Sequence, residues 1–378
     1  MGNFLVIKKK YHGMKKTTLI ISSYDDLKNP YFAGGGAQAV HAIAKRLVKK
    51  NYKVTVLTGK FPGCKNERID GVLYERIGTS FLGAQLDQIT FQLCLPFSLL
   101  KKPFDVWLES FTPPFSTSFL QLFTKKPVIG LVHMLSGEDM KRKYKLPFDW
   151  IENLGLKTYR YFITPSEQIA QKVRRQNTKA YITTIPNGIE TMPAKLPATR
   201  GKYILFLGRI EINQKGLDLL LDAYAELTKI AGIPLHIAGS GEKKDEAVLQ
   251  RMINKLSLTK QVKLLGRVSG DAKGKVYEDA SFVVLPCRFE TFSVVALEAM
   301  SYAKALVYFA IDGLQWIPED AGIAVKPFDQ EVLSQRMLQL LAHPEQAEQM
   351  GKQGRNYAKQ HTWDKLVEIY EDCIARTL

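Results

Sequence analysis

Short apolar, β-branched runs alternate with helix-length amphipathic segments along this 378-residue chain, and few architectures accommodate that pattern. In the first half the runs are Thr18–Ser22, Lys53–Leu57, Val72–Arg76, Asp105–Leu108, Val128–Val132, Tyr161–Thr164 and Tyr181–Ile185. They resume at Tyr203–Leu207, Leu235–Ala238, Val262–Leu265, Phe282–Leu285, Ala305–Val307 and Ile323–Val325. Runs this apolar suit strands buried on both faces of a parallel sheet, with segments such as Ala37–Lys50 and Leu217–Ile230 as the covering helices. The pattern predicts an α/β fold of two Rossmann-like, doubly wound domains facing a central cleft, where open α/β sheets bind ligands. Pro186, Pro193, Pro197 and Asn187-Gly188 punctuate it at Pro186–Arg200, so domains are expected at 17–190 and 191–378. Residues 1–16 are expected to be a disordered basic leader.

Charge divides along the same line. Of 53 Lys and Arg and 37 Asp and Glu, residues 1–190 hold 29 and 14, and residues 191–378 hold 24 and 23. The first half is thus +15 and the second +1. A field of one sign attracts anions: nucleic acid, an anionic membrane or an acidic substrate. Four cysteines (Cys64, Cys94, Cys287, Cys373) lie far apart with no CxxC pair, which argues against a disulfide scaffold or cysteine zinc site and fits a reducing compartment. The longest uncharged runs are too short to span a bilayer and contain Pro96 or Pro113-Pro114. Behind the lysines of the N-terminus there is no small-residue cleavage site, so a secretory signal is not expected.

Four motifs carry chemistry. The run Cys287 to Met300 follows an expected strand and places Glu290 in a loop and Glu298 eight positions on, in the next helix. Between them, near Phe292, Ser293 and Val294, the helix begins, and its free N–H groups suit a diphosphate. Gly208-Arg209 ends another strand and Lys215-Gly216 precedes another helix; a guanidinium and an ammonium there can neutralise a leaving diphosphate without a metal. Gly34-Gly35-Gly36 precede the helix Ala37–Lys50, either as a flexible loop or as a close backbone approach to an anion; no Lys-Ser/Thr follows to make a P-loop. His133 follows the strand Val128–Val132, where a sheet delivers side chains to a cleft. No metal spacing accompanies it. Gly239-Ser240-Gly241 lacks the rest of a dinucleotide fingerprint.

Together with Ser166, Ile185-Pro186-Asn187-Gly188-Ile189-Glu190 and Leu265-Gly266-Arg267-Val268, these motifs resemble, in order, the retaining glycosyltransferases of family 4, which have the GT-B fold. The resemblance implies that the C-terminal domain binds a nucleoside-diphosphate sugar, needing no metal or other cofactor. It implies that Arg209 and Lys215 hold the diphosphate, Glu298 the ribose, and the backbone of Gly266, Arg267 and Val268 the base. Glu290 and the amides of Phe292, Ser293 and Val294 would approach the donor, with Gly208 and Asn187 also in the binding set. His133 would reach the sugar from the N-terminal domain, and Gly34, Gly35 and Gly36 would close over phosphate and acceptor. A glycan or lipid-linked acceptor, envelope polysaccharide, lipopolysaccharide or glycolipid synthesis and a cytoplasmic location follow from the same resemblance. So does a final helix that packs back on the N-terminal domain.

Two places depart from the family's pattern: Ser293 stands where glycine is usual, and the later Gly-Gly-x-x-Glu stretch reads Asp312-Gly313-Leu314-Gln315-Trp316-Ile317. Lys141, Arg142, Lys143 and Lys145 beside Phe148, Trp150 and Ile151 form either a patch for an anionic inner leaflet or an ordinary loop before a core helix. Alternative readings are a sugar-nucleotide epimerase of the same fold and a basic nucleic-acid binder. The latter has no zinc finger or RNA-binding aromatic motif to support it, so nucleic acid is not an expected partner.

Overall fold

Alternate residues of the central strands are buried on opposite sides. In Tyr203–Leu207, Ile204 and Phe206 join one apolar cluster with Leu217, Leu220 and Leu333, while Tyr203 and Leu205 join another with Ala296, Leu297 and Met300. Both faces of this sheet are therefore covered, which is why its strands read as continuous apolar runs.

The computed structural model describes residues 16–29, 34–111, 116–190, 192–194 and 201–378. The expected leader lies outside these except for Lys16, as do residues 191 and 195–200 of the Pro186–Arg200 stretch. The strands are β1 (Thr18–Ser22), β2 (Lys53–Gly59), β3 (Glu67–Ile69), β4 (Val72–Ile77), β5 (Val106–Ser110), β6 (Val128–Leu131), β7 (Tyr161–Thr164) and β8 (Tyr181–Thr184). A second set follows: β9 (Tyr203–Leu207), β10 (Leu235–Ala238), β11 (Val262–Gly266), β12 (Ala280–Leu285), β13 (Leu306–Phe309) and β14 (Gly322–Val325). The first sheet runs β3-β4-β2-β1-β5-β6-β7-β8 and the second β11-β10-β9-β12-β13-β14, and sheet membership changes between β8 and β9. By contact the chain divides into Met1–Leu131, Ser136–Tyr161 and Cys373–Leu378 as one unit, and Val132–Leu135 with Phe162–Asp372 as the other.

In the second sheet the order reverses between β9 and β12, which pair in parallel, as it does between β1 and β5 in the first. At such a switch point the helices leave on opposite faces and open a crevice at the carboxyl ends of the strands. The loops after β9 and β12 are those that carry Arg209 and Glu290.

The expected strands are found, with ends that agree or shift by at most two residues. The sequence reading omits β3, three residues paired antiparallel with β4. Its signal is Asp70-Gly71, both at positive φ (49° and 81°), the geometry of a tight hairpin turn. In the first unit Asp26 is fully buried against Arg76, whose Nε lies 2.8 Å away, and Asp26 also accepts from the Thr58 hydroxyl at 2.6 Å. Pro96 does not break its segment: the helix Ala84–Lys101 runs through it. Among the described residues no helix is long and apolar enough to cross a membrane.

Candidate functional site

Lys215 and Glu290 are 75 positions apart in the chain and form an ion pair at 2.6 Å, each side chain 16% exposed. Lys215 ends a one-turn helix, Ile212–Lys215, and Gly216 turns the chain at φ +65° into the helix Leu217–Thr228. A Cβ on Gly216 would lie 1.9 Å from the Pro286 carbonyl oxygen, so the loops after β9 and β12 touch backbone to backbone. The Arg288 N–H donates to the Gln214 carbonyl at 2.9 Å across the same seam. Arg288 also forks onto Asp218 with bonds of 2.7 and 2.6 Å. Its charge is thus already matched, and its part is to fix the loop carrying Glu290. Burial alone would pull the Lys215 ammonium down, but Glu290 and Cys287 beside it outweigh that and hold its pKa above the usual lysine value. Burial pushes the Cys287 thiol up to about 11.

Arg209 is exposed, and its guanidinium reaches Gln214 Oε1 at 3.0 Å and Glu211 at 3.3 Å. Gly208 stands beside Gly239, which has φ +148° and whose added Cβ would fall 1.7 Å from the Gly208 oxygen. Gly239 N–H in turn donates to Gly266 O at 2.8 Å. The three glycines therefore line the carboxyl edge of β9, β10 and β11, and at Gly239 a side chain would push the exits of β9 and β10 apart. Gly266 ends β11 at φ +67°, followed by exposed Arg267 and half-buried Val268.

The helix Val294–Ser301 carries the other expected features. Ser293 is its N-cap, and its hydroxyl accepts from the Ala296 N–H at 3.2 Å. The serine that departs from the family's glycine thus occupies itself with one of the helix's free donors. Replacing it with alanine is expected to cost about 1 kcal/mol and with glycine only a few tenths, by denaturant unfolding of both variants. Equal losses would show that the cap carries no weight.

Phe292 is buried and stacks on Trp316 with ring centroids 4.3 Å apart and planes 7° from parallel. The departing stretch 312–317 thereby supports the start of this helix. Glu298 accepts from the Tyr277 hydroxyl at 2.9 Å and pairs with Lys273. Burial, then the Glu298 charge, pushes the Tyr277 hydroxyl well above its usual range.

Glu290 also lines a cavity of about 420 Å³ together with Ser166, Gln168, Lys172, Arg288 and Asp312, all residues of the second unit. Lys172 and Gln168 escaped the sequence reading, and Asp312 entered it only as part of the departing stretch, since nothing local in α/β periodicity marks a side chain as facing a cavity. Gly313 approaches closely here: its added Cβ would meet the Glu290 oxygen at 1.8 Å. Asn187 is half-buried in a segment joined to the start of the last helix, Trp363–Ala375: Ile189 N–H donates to His361 O at 2.9 Å, and Trp363 N–H donates to Ile189 O at 3.0 Å.

His133 lies in the second unit just after β6; Leu135, two residues on, lines the cavity, whereas His133 is not among the residues that line it. Its Nε2 is sealed from solvent with no hydrogen-bond partner, and burial lowers its pKa to about 4. The folded protein thus keeps the imidazole neutral, while the unfolded chain protonates it near pH 6.5. Stability is expected to fall by roughly 2–3 kcal/mol as pH drops from about 6.5 to about 4. Unfolding His133→Gln over the same range should remove that part of the slope; an unchanged slope would deny it.

Gly34, Gly35 and Gly36 are corrected in one respect. They are not a loop: Gly34 is the N-cap at φ −82° and the helix Gly35–Lys49 starts with the other two. None has a positive φ, and a Cβ on Gly36 would sit 3.2 Å from the Asp25 carboxylate. That carboxyl is raised to about 6 by burial, so the turn faces an acid as well as open space. In the basic segment, Phe148 is buried core while Trp150 is exposed, and Lys141 pairs with Asp149 at 2.7 Å. The Lys143 side chain lies outside what is described.

Residues 33–192 match the family model Glycosyltransferase Family 4, and residues 189–357 match Glycosyl transferases group 1. An uncharacterised glycosyltransferase of Methanocaldococcus jannaschii is 28% identical over 228 residues, 57% of this chain and 62% of that protein, so the match spans under two thirds of the relative's length. The structure is similar to that of sucrose-phosphate synthase from Thermosynechococcus elongatus, with TM-score 0.80 and 21% identity over 96% of this chain and 100% of the other. It is also similar to Anabaena HepE in complex with UDP-glucose, with TM-score 0.72 and 16% identity over 95% and 98%. At these identities the structural likeness speaks for the fold, which is the GT-B architecture of two parallel-sheet α/β domains.

Proposed function

The chain belongs to the glycosyltransferases described by these two family models, and from that premise we propose that it moves a sugar from a nucleoside diphosphate to a hydroxyl acceptor with retention at the anomeric carbon. The observation that carries the reading is the Lys215–Glu290 pair at the β9/β12 switch point, on the rim of the cavity that Glu290 lines. A partly buried ammonium beside a carboxylate is a fixed charge, held before any ligand arrives.

In the proposed reaction the bond from the anomeric carbon to the β-phosphate oxygen breaks, and a bond to the acceptor oxygen forms on the same face. The acceptor proton passes to the departing phosphate. Negative charge grows on the diphosphate, where Lys215, Arg209 and the first-turn amides of the helix Val294–Ser301 stabilise it. Glu290 faces the sugar and favours the positive charge that develops on its ring. Glu298, steadied by Tyr277 and Lys273, accepts from the ribose hydroxyls, and the backbone around Gly266, Arg267 and Val268 meets the base.

Supplying the protein with UDP-, GDP- and ADP-sugars and a panel of glycan and lipid-linked acceptors tests the reading, with the product's anomeric configuration read by proton NMR. A retained configuration in the presence of chelator supports it. An inverted product contradicts retention, and an epimerised sugar nucleotide formed without acceptor would replace transfer by epimerisation.

A further inference from the structure

The helix Ala84–Lys101 is apolar on two sides. Phe91, Leu95 and Leu99 are buried in the first unit, as expected of a helix packed on a sheet. Leu93, Phe97 and Leu100 follow the same helical spacing on the opposite side and are 63%, 65% and 70% exposed. Leu86, one heptad before Leu93, is exposed too, as are Phe81 and Leu82 just ahead of the helix. The 3₁₀ turn Leu120–Phe123 packs against this helix and adds exposed Leu122 and Phe123. Scattered exposed leucines are ordinary, but a stripe of this length on one helix is not.

Charge indicates what covers it. The helix carries one acid, Asp87, and that is buried against the Thr79 hydroxyl at 2.6 Å. Its exposed end is Lys101, and exposed Lys125 follows Phe123 by two residues. At the other end Gln85 donates to the Tyr144 hydroxyl at 3.0 Å, which brings the helix Gly137–Tyr144, with Lys141 and Arg142, beside its first turn. A second copy of the chain would bring another strongly basic half against this one, residues 1–190 being +15. An anionic lipid surface offers apolar depth and opposite charge together.

We propose that this face is a docking surface for an anionic lipid leaflet, with Leu93, Phe97 and Leu100 entering the headgroup boundary and the lysines meeting lipid phosphates. The helix lies along the interface rather than across it. The inference does not depend on the donor chemistry, so its failure and that of the proposed reaction are separate results.

Co-sedimentation of the full chain with vesicles of phosphatidylcholine, alone or mixed with phosphatidylglycerol, tests it. Binding is expected to the mixed vesicles at low salt, with loss at high salt and on neutral vesicles. The variant Leu93→Ser/Phe97→Ser/Leu100→Ser should bind at least about tenfold more weakly while melting close to the wild type, since its three side chains are mostly exposed. Lys101→Gln/Lys125→Gln should weaken binding and flatten its salt dependence. No binding to mixed vesicles, or binding by the triple variant equal to wild type, would overturn the proposal. So would a dimer by light scattering that the triple variant dissolves, which would assign the face to self-association.

Discussion

Lys215→Ala is expected to lower kcat/KM for sugar transfer by about 10²–10³-fold, the scale of losing one preorganised donor to a developing anion. Two causes could produce such a loss. The ammonium could be missing from the leaving group, or Glu290 could be left partly buried without its partner, which is itself costly. Unfolding Lys215→Ala in denaturant separates them: stability near wild type with transfer still low assigns the loss to the missing cation, whereas a stability loss of the size of an unpaired buried charge assigns it to Glu290. Activity of Lys215→Ala within about threefold of wild type would remove Lys215 from the reaction. Arg209 is more exposed and less constrained, and its loss is expected to be smaller in the same assay.

The second large effect falls on stability. Gly216→Ala places a Cβ at φ +65° and 1.9 Å from the Pro286 carbonyl, so both backbone strain and a clash must be absorbed. A cost of about 2–5 kcal/mol is expected in denaturant unfolding, with transfer falling as the loop carrying Glu290 moves. Gly63 has a similar φ of +77° with nothing near its added Cβ, so Gly63→Ala should show only the backbone part, about 1–2 kcal/mol. Equal costs at the two positions would mean that the contact between the loops after β9 and β12 is slack.

Much of the frame was legible because parallel strands buried on both faces leave a plain signature. Thr18–Ser22, Tyr161–Thr164, Tyr203–Leu207 and Leu235–Ala238 are strands with the expected bounds. What carries that signature is burial, so it vanished at β3, a three-residue edge of mixed polarity. Pro96 lies inside the helix Ala84–Lys101, which continues through it. The motif residues Arg209, Lys215, Glu290 and Glu298 could be chosen by type and position after expected strands. Their partners could not. Asp218 with Arg288 and Lys273 with Glu298 join positions 70 and 25 apart, and only the turn at Gly216 and the crossing of β9 beside β12 bring the first pair together. Ser293 shows the limit in a single residue. In sequence it is only a departure from the family's glycine, and the fold alone shows its hydroxyl capping the helix.

The outward stripe of the helix Ala84–Lys101 was hidden for a related reason. A segment apolar on two sides has no single preferred face in sequence, and only the fold shows which side is left to solvent.

The central claim is that the second unit grips a pyrophosphate through Lys215 and its neighbours. Calorimetric titration of the full chain with UDP, GDP and ADP, and with each matching nucleoside, tests it most directly. One diphosphate should bind, its nucleoside much more weakly, and Lys215→Ala should weaken the diphosphate alone by about 10- to 100-fold, as loss of a charge-assisted bond requires. Failure of all three diphosphates to bind, or a Lys215→Ala protein that binds the diphosphate as tightly as wild type, would contradict it.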